Sequence, residues 1–250
     1  EKIGLYWYLF SPHPRLFGSD GKLYGSFSDP GEYLLLVYCR GFVTPDWIKG
    51  GIIYQIFPDR FYKVGNFPIE SGKCLRSDWG GIPDYLPDKS GEIQNNDFFG
   101  GNLRGIIEKL PYLSSLCVKA IYLNPVFRAY SNHRYDTADY HAIDPLLGTA
   151  EDFGALVGKA EEYGIRLILD GVFNHTGADS IYFNRYGNYA SVGAYQSKDS
   201  PYAEWYEFFD YPDGYSAWWG IRTLPAIRKD CKAFQQFIAG GNGVLSEYKV

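Results

Sequence analysis

Apolar runs too short for helices recur through the middle of the chain, each followed by a stretch whose apolar residues return every third or fourth position. Ile52-Ile53-Tyr54-Gln55-Ile56-Phe57, Val118-Lys119-Ala120-Ile121-Tyr122-Leu123 and Arg166-Leu167-Ile168-Leu169 read as buried strands, because near-continuous β-branched and apolar runs suit a sheet covered on both faces. Leu103 to Leu116 reads as a helix kinked at Pro111, which lacks the N–H that a helix interior needs. Thr149-Ala150-Glu151-Asp152 supplies a capping sequence for a second helix, running to about Tyr163 and stopped by Gly164. Strands alternating with helices predict parallel βαβ units and an α/β fold.

The flanks follow other rules. Leu5 to Phe10 and Tyr33 to Tyr38 are short aromatic runs with a turn-forming stretch, Ser19-Asp20-Gly21-Lys22, between them, and they predict a few antiparallel strands. So few strands cannot close a two-sided core, so residues 1–45 are expected to be the C-terminal strands of a β-sandwich domain, ending at Thr44-Pro45-Asp46-Trp47. Residues 46–175 and 230–250 would then be the first half, strands one to three, of a TIM (β/α)₈ barrel. Residues 176–229 are too long for a βα connection and are expected to form an inserted subdomain after strand three. A further helix starts near Cys231 and ends near Gly240-Gly241, with a fourth strand expected to begin at Lys249-Val250.

Composition narrows the function. With 29 acidic against 24 basic residues and no long run of either sign, the chain shows no electrostatic footprint for nucleic acid or an anionic membrane. Nothing resembles a signal peptide, and no apolar run is long enough to span a bilayer. Cys39, Cys74, Cys117 and Cys231 lack the close spacing of a zinc ribbon or a redox pair, and read as free thiols of a cytoplasmic protein. Aromatic residues make up 18% of the chain, and many lie beside Gly, Asp and Asn, which suits either a large aromatic core or stacking platforms for sugar rings.

In parallel barrels function gathers where the strands end. Here those ends are Asp59-Arg60, Asn124, and Asp170 with Asn174 and His175. The loop Asn132-His133-Arg134-Tyr135-Asp136-Thr137-Ala138-Asp139-Tyr140 is either a solvated loop held by its own aspartates or a set of donors and flat faces for a polyhydroxylated ligand.

Asp170-Gly171-Val172-Phe173-Asn174-His175 resembles the D-x-V-x-N-H motif of the α-amylase superfamily, glycoside hydrolase family thirteen. Ile53 to Phe61, Phe99 to Leu103, Ala120 to Pro125 and Asn132 to Thr137 resemble its neopullulanase, cyclomaltodextrinase and maltogenic amylase branch. The resemblance implies hydrolysis of α-glucosidic bonds in maltooligosaccharides, cyclodextrins or pullulan by a retaining mechanism, in which one carboxylate attacks and another protonates the leaving oxygen. It implies that both carboxylates lie beyond residue 250, so no catalytic residue is assigned within this chain. It implies that His175 and His133 contact the sugar, that Tyr135 stacks on it, that Tyr54 lines the floor of the site and that Asp170 organises it. It also implies that Asn174 sits where many amylases bind calcium, and that such proteins often form homodimers. Arg222 and Arg228 stand where the family has acidic or amide residues, and Tyr62 to Asn66 lacks a calcium-binding Asn/Asp series, so calcium is not expected to be required. The same two arginines leave room for an alternative, a catalytically inactive barrel that binds carbohydrate or serves as a scaffold.

Overall fold

The computed structural model describes residues 5–11, 31–37, 41, 43–89, 91 and 93–248, with side chains from residue 41 onward. Its contacts divide the chain into Glu1–Lys49 and Gly50–Val250. In the smaller unit β1 (Leu5–Ser11) pairs antiparallel with β2 (Gly31–Val37), in a register running from Leu5 opposite Val37 to Ser11 opposite Gly31. The turn expected at residues 19–22 lies outside the described residues, as does the fourth strand expected at residues 249–250.

The larger unit runs through β3 (Ile52–Ile56), β4 (Cys74–Leu75), β5 (Asp97–Phe98), α1 (Leu103–Ser115), β6 (Val118–Leu123), β7 (Phe127–Ala129), β8 (Thr137–Ile143), α2 (Ala150–Glu162) and β9 (Arg166–Leu169). It continues through β10 (Phe208–Asp210), β11 (Gly214–Tyr215), α3 (Lys232–Ala239) and α4 (Val244–Glu247). Strands β3, β6 and β9 form one parallel sheet in that order. The helices that connect them are set by local chemistry. The Asn102 side chain accepts from the Gly105 N–H at 2.8 Å to start α1, which continues across Pro111 to Ser115. Thr149 and Asp152 form a reciprocal capping box at the start of α2. Gly164 follows that helix at φ +65°, in the left-handed region where a side chain is disfavoured.

Register decides which residues share a face. Tyr54, Ile121 and Leu167 are level with one another, as are Ile56, Leu123 and Leu169. These rows pack against Leu103, Ile106, Leu110 and Leu113 of α1 and against Phe153, Leu156 and Ala160 of α2. Each fully buried Leu or Ile in this layer contributes about 1.5–3 kcal/mol. The alternate row, Gln55, Tyr122 and Ile168, faces away from the helices and runs on into Asn124 and Asp170.

One feature departs from the sequence expectation. The segment read as a polar loop after β6 is an irregular antiparallel hairpin of β7 and β8, in which Tyr140 is buried between sheet and insertion. Residues 176–229 contain short 3₁₀ turns and the β10–β11 hairpin, and they pack with Tyr140 and α3 into an aromatic core. Tyr182 lies 5.6 Å from Tyr140, 5.1 Å from Trp205 and 5.6 Å from Phe237, ring centroid to centroid. Much of the aromatic excess is therefore core. An isolated bridge from Ala226 to His175 ties this segment back to the chain that leaves β9, and one from Ala217 to Pro225 closes the segment on itself.

Candidate active site

The sheet face turned away from the helices carries a connected set of polar side chains at its C-terminal edge. Gln55 donates from Nε2 to Asn124 Oδ1 at 2.8 Å, and Asn124 Nδ2 lies 3.4 Å from the Tyr135 hydroxyl. That hydroxyl donates to Asp170 Oδ2 at 2.9 Å, and the Tyr122 hydroxyl also bonds to Asp170. One carboxylate thus gathers two phenols from separate elements. Burial, with the Asp170 charge added, pushes the Tyr135 hydroxyl up to about 12 and raises Tyr122, so both remain donors at neutral pH.

Tyr135 and His133 are presented by a turn whose middle residue points the other way. Arg134 has φ +61°, sits in the left-handed region and is fully buried. Its guanidinium donates to Asp144 Oδ1 at 3.2 Å and to the Asn132 carbonyl at 2.9 Å, and it lies 5.4 Å from the Phe98 ring centroid. Asp144 is fully buried as well and also accepts from the Leu146 N–H at 3.0 Å. The Ser131 hydroxyl closes the turn by donating to Asp136 while accepting from the Arg134 N–H at 3.2 Å. His133 Nδ1 accepts from the Tyr135 N–H at 3.1 Å and lies 3.0 Å from the Ser131 hydroxyl oxygen. Burial lowers the His133 pKa, with Arg134 and Arg60 acting in the same direction against Asp136.

His175 arrives from the chain beyond β9. Its Nε2 donates to the Tyr135 carbonyl at 3.0 Å, its ring lies 5.0 Å from that of Trp218, and only 3% of the residue is exposed. Nδ1 is buried without a partner, and burial holds the imidazole below its ordinary pKa. His175 therefore supports the Tyr135 backbone, and neither of its ring nitrogens faces open solvent.

The structure brings His133, Tyr135, His175 and Asp170 together. Tyr54 is placed differently. Its ring packs on the helix side of β3, edge-on to Phe61 at 6.3 Å, because strand alternation gives the site face to Gln55. Asn174 is exposed, and its carbonyl accepts from the Ile227 N–H at 2.9 Å. Calcium takes roughly six to eight oxygen ligands, carboxylates prominent among them. No group of three His, Cys, Asp or Glu side chains gathers for a metal among the described residues. Arg222 and Arg228, expected to oppose a cation, turn to Asp213 and Asp230.

Sequence reasoning missed Gln55, Tyr122, Arg134 and Trp218. The alternation of side chains about Tyr54 and about His133-Arg134-Tyr135 was the available signal for the first three; nothing local points to Trp218.

Comparison with known proteins identifies the family. Residues 55–232 match the family described as alpha amylase, catalytic domain, and the chain belongs to that family. It is 46% identical over 248 residues to an amylopullulanase of Thermoanaerobacterium saccharolyticum, covering 87% of this chain and 19% of the relative. It is 43% identical over 193 residues to a cyclomaltodextrinase of Geobacillus thermopakistaniensis, covering 77% and 28%. Among solved structures, the cyclic alpha-maltosyl-(1→6)-maltose hydrolase of Arthrobacter globiformis, in complex with its named substrate, superposes with a TM-score of 0.64. It has 34% identity over 78% of this chain and 41% of that one. The chain thus spans less than a third of the length of these two curated relatives. No helix among the described residues is long and apolar enough to cross a membrane.

Proposed function

We propose that this chain supplies the first three βα units of a (β/α)₈ barrel, with residues 176–229 as an insertion, and that the protein carrying it hydrolyses α-glucosidic bonds with retention of configuration. The observation that carries the reading is the Asp170 carboxylate, which gathers Tyr135 and Tyr122 at the C-terminal edge of a parallel sheet in a chain of the alpha-amylase family. Relatives named for pullulan, cyclomaltodextrin and cyclic maltosyl-maltose support an α-glucan as the substrate class.

In this reading Tyr135 offers a ring face to the sugar nearest the cleaved bond while Asp170 fixes its hydroxyl. Asp170 itself is engaged by phenols on the site face, so it organises the site instead of attacking the sugar. The nucleophile and the general acid belong to strands outside residues 1–250, as the family pattern places them. His133 engages the protein through Nδ1 and leaves Nε2 for a sugar hydroxyl.

The test is an assay of the intact polypeptide with pullulan, cyclodextrins and maltooligosaccharides, following the anomeric configuration of the product by NMR. Release of α-anomeric ends is expected; β-anomeric product or no product overturns the reading. Tyr135→Phe removes a hydrogen bond to a charged group, worth about 1.5–3 kcal/mol, and kcat/KM should fall about 10- to 100-fold.

A further inference from the structure

Trp218 and Trp219 lie at the outer end of the chain segment bridged to His175, in the turn Trp218–Gly220. Their rings are stacked with centroids 4.3 Å apart and planes 8° from parallel. Trp218 in turn covers the His175 ring at 5.0 Å. Three flat rings therefore step outward from the candidate site. The outermost, Trp219, is a large hydrophobic side chain that stands 84% exposed. Its backbone stands at φ +51°, a conformation that costs a bulky residue free energy and persists only where the surroundings impose it. The surroundings do impose it. The Trp218 N–H donates to the Leu224 carbonyl at 2.9 Å, the Gly220 N–H to Ala217 at 3.1 Å and the Ile221 N–H to Trp218 at 3.0 Å.

A core role does not explain Trp219, because stacking on Trp218 covers one indole face and leaves the other in water. A cationic ligand is disfavoured, because Arg222 sits three residues on with its guanidinium 5.3 Å from the Tyr215 ring centroid. An anion finds no free partner in that arginine, which donates to the Asp213 carbonyl at 2.8 Å and faces the Asp213 carboxylate. A single rigid apolar face bordered by polar backbone suits an uncharged ring with one apolar face and a hydroxylated rim, which describes a pyranose.

We propose that Trp219, backed by Trp218, is an accessory glucosyl platform. It holds a sugar unit of an α-glucan outside the subsite formed by Tyr135 and Asp170, and so selects for longer chains. The proposal rests on the α-glucan reading and deepens it.

The experiment uses the intact polypeptide and its Trp219→Ala variant, with maltotriose and maltoheptaose as substrates. The ratio of kcat/KM for maltoheptaose over maltotriose is expected to drop about tenfold in the variant, the scale of one lost aromatic stack on a ligand ring. Because Trp219 is exposed, the melting temperature should stay within about 2 °C of the parent. Titration with maltoheptaose should quench indole fluorescence in the parent, and clearly less in the variant. An unchanged selectivity ratio together with unchanged quenching overturns the platform while leaving the α-glucan reading intact. A parent that neither binds nor cleaves either sugar overturns that reading instead. A change of oligomeric state in the variant by light scattering, with selectivity unchanged, assigns the indole face to a second copy of the chain and also overturns the platform.

Discussion

Replacing Arg134 by Met should destabilise the fold through the charge it leaves behind. Arg134 and Asp144 are both fully buried and bonded at 3.2 Å. Removing one member of a buried ion pair costs about 3–5 kcal/mol, because the remaining charge has lost its partner and cannot reach water. Asp144 would keep the Leu146 N–H at 3.0 Å, the Ala129 N–H at 3.3 Å and the Lys73 ammonium at 3.7 Å. That remaining support places the loss near the lower bound, about 3 kcal/mol. The lost bond to the Asn132 carbonyl adds about 1 kcal/mol. At about 2–4 °C per kcal/mol for a unit of this size, the melting temperature should fall by about 8–16 °C. Urea titration of the parent, Arg134→Met, Asp144→Leu and the double variant tests the cause as well as the size. With neither charge left, the double variant should be more stable than the sum of the singles predicts, by at least about 1.5 kcal/mol. A single-variant loss below about 1 kcal/mol, or strict additivity, would refute the reasoning.

Other expectations follow from the same geometry. His133 has a native pKa below its ordinary value of 6.5, so in the window below that value the unfolded chain binds a proton that the native imidazole refuses. Its contribution to stability is therefore full above pH 6.5 and is lost as pH falls toward the lowered native value; His133→Asn should flatten this part of the pH–melting curve, measured by calorimetry from pH 8 to 5. A Cβ on Gly105 would come 1.9 Å from the Tyr62 carbonyl oxygen, a backbone atom with little freedom to move. Gly105→Ala should thus destabilise by about 2 kcal/mol in chemical denaturation despite gaining up to about 1 kcal/mol of helix propensity.

The sequence alone determined what depends on neighbours along the chain. The three sheet strands, the Thr149–Asp152 cap and the stop at Gly164 were legible, because apolar period and capping act within about one turn or strand. The motif around Asp170 and His175 and the segment around Tyr135 marked the candidate site for a related reason, since the residues of each lie within a few positions. Tertiary structure decided the rest. Thr137 to Ile143 became a strand only because Phe127 to Ala129 returned beside it. Arg134 reads as a solvated cation in a polar loop, yet it is buried because Asp144, ten residues away, compensates its charge. Tyr54 lies on the helix side because the sheet's register with β6 assigns the site face to its neighbour Gln55. Trp218 meets His175 through a bridge between residues fifty-one positions apart, His175 and Ala226. Local pattern states which residues form an element. Burial and charge compensation, which are properties of the folded neighbourhood, state which way each side chain faces.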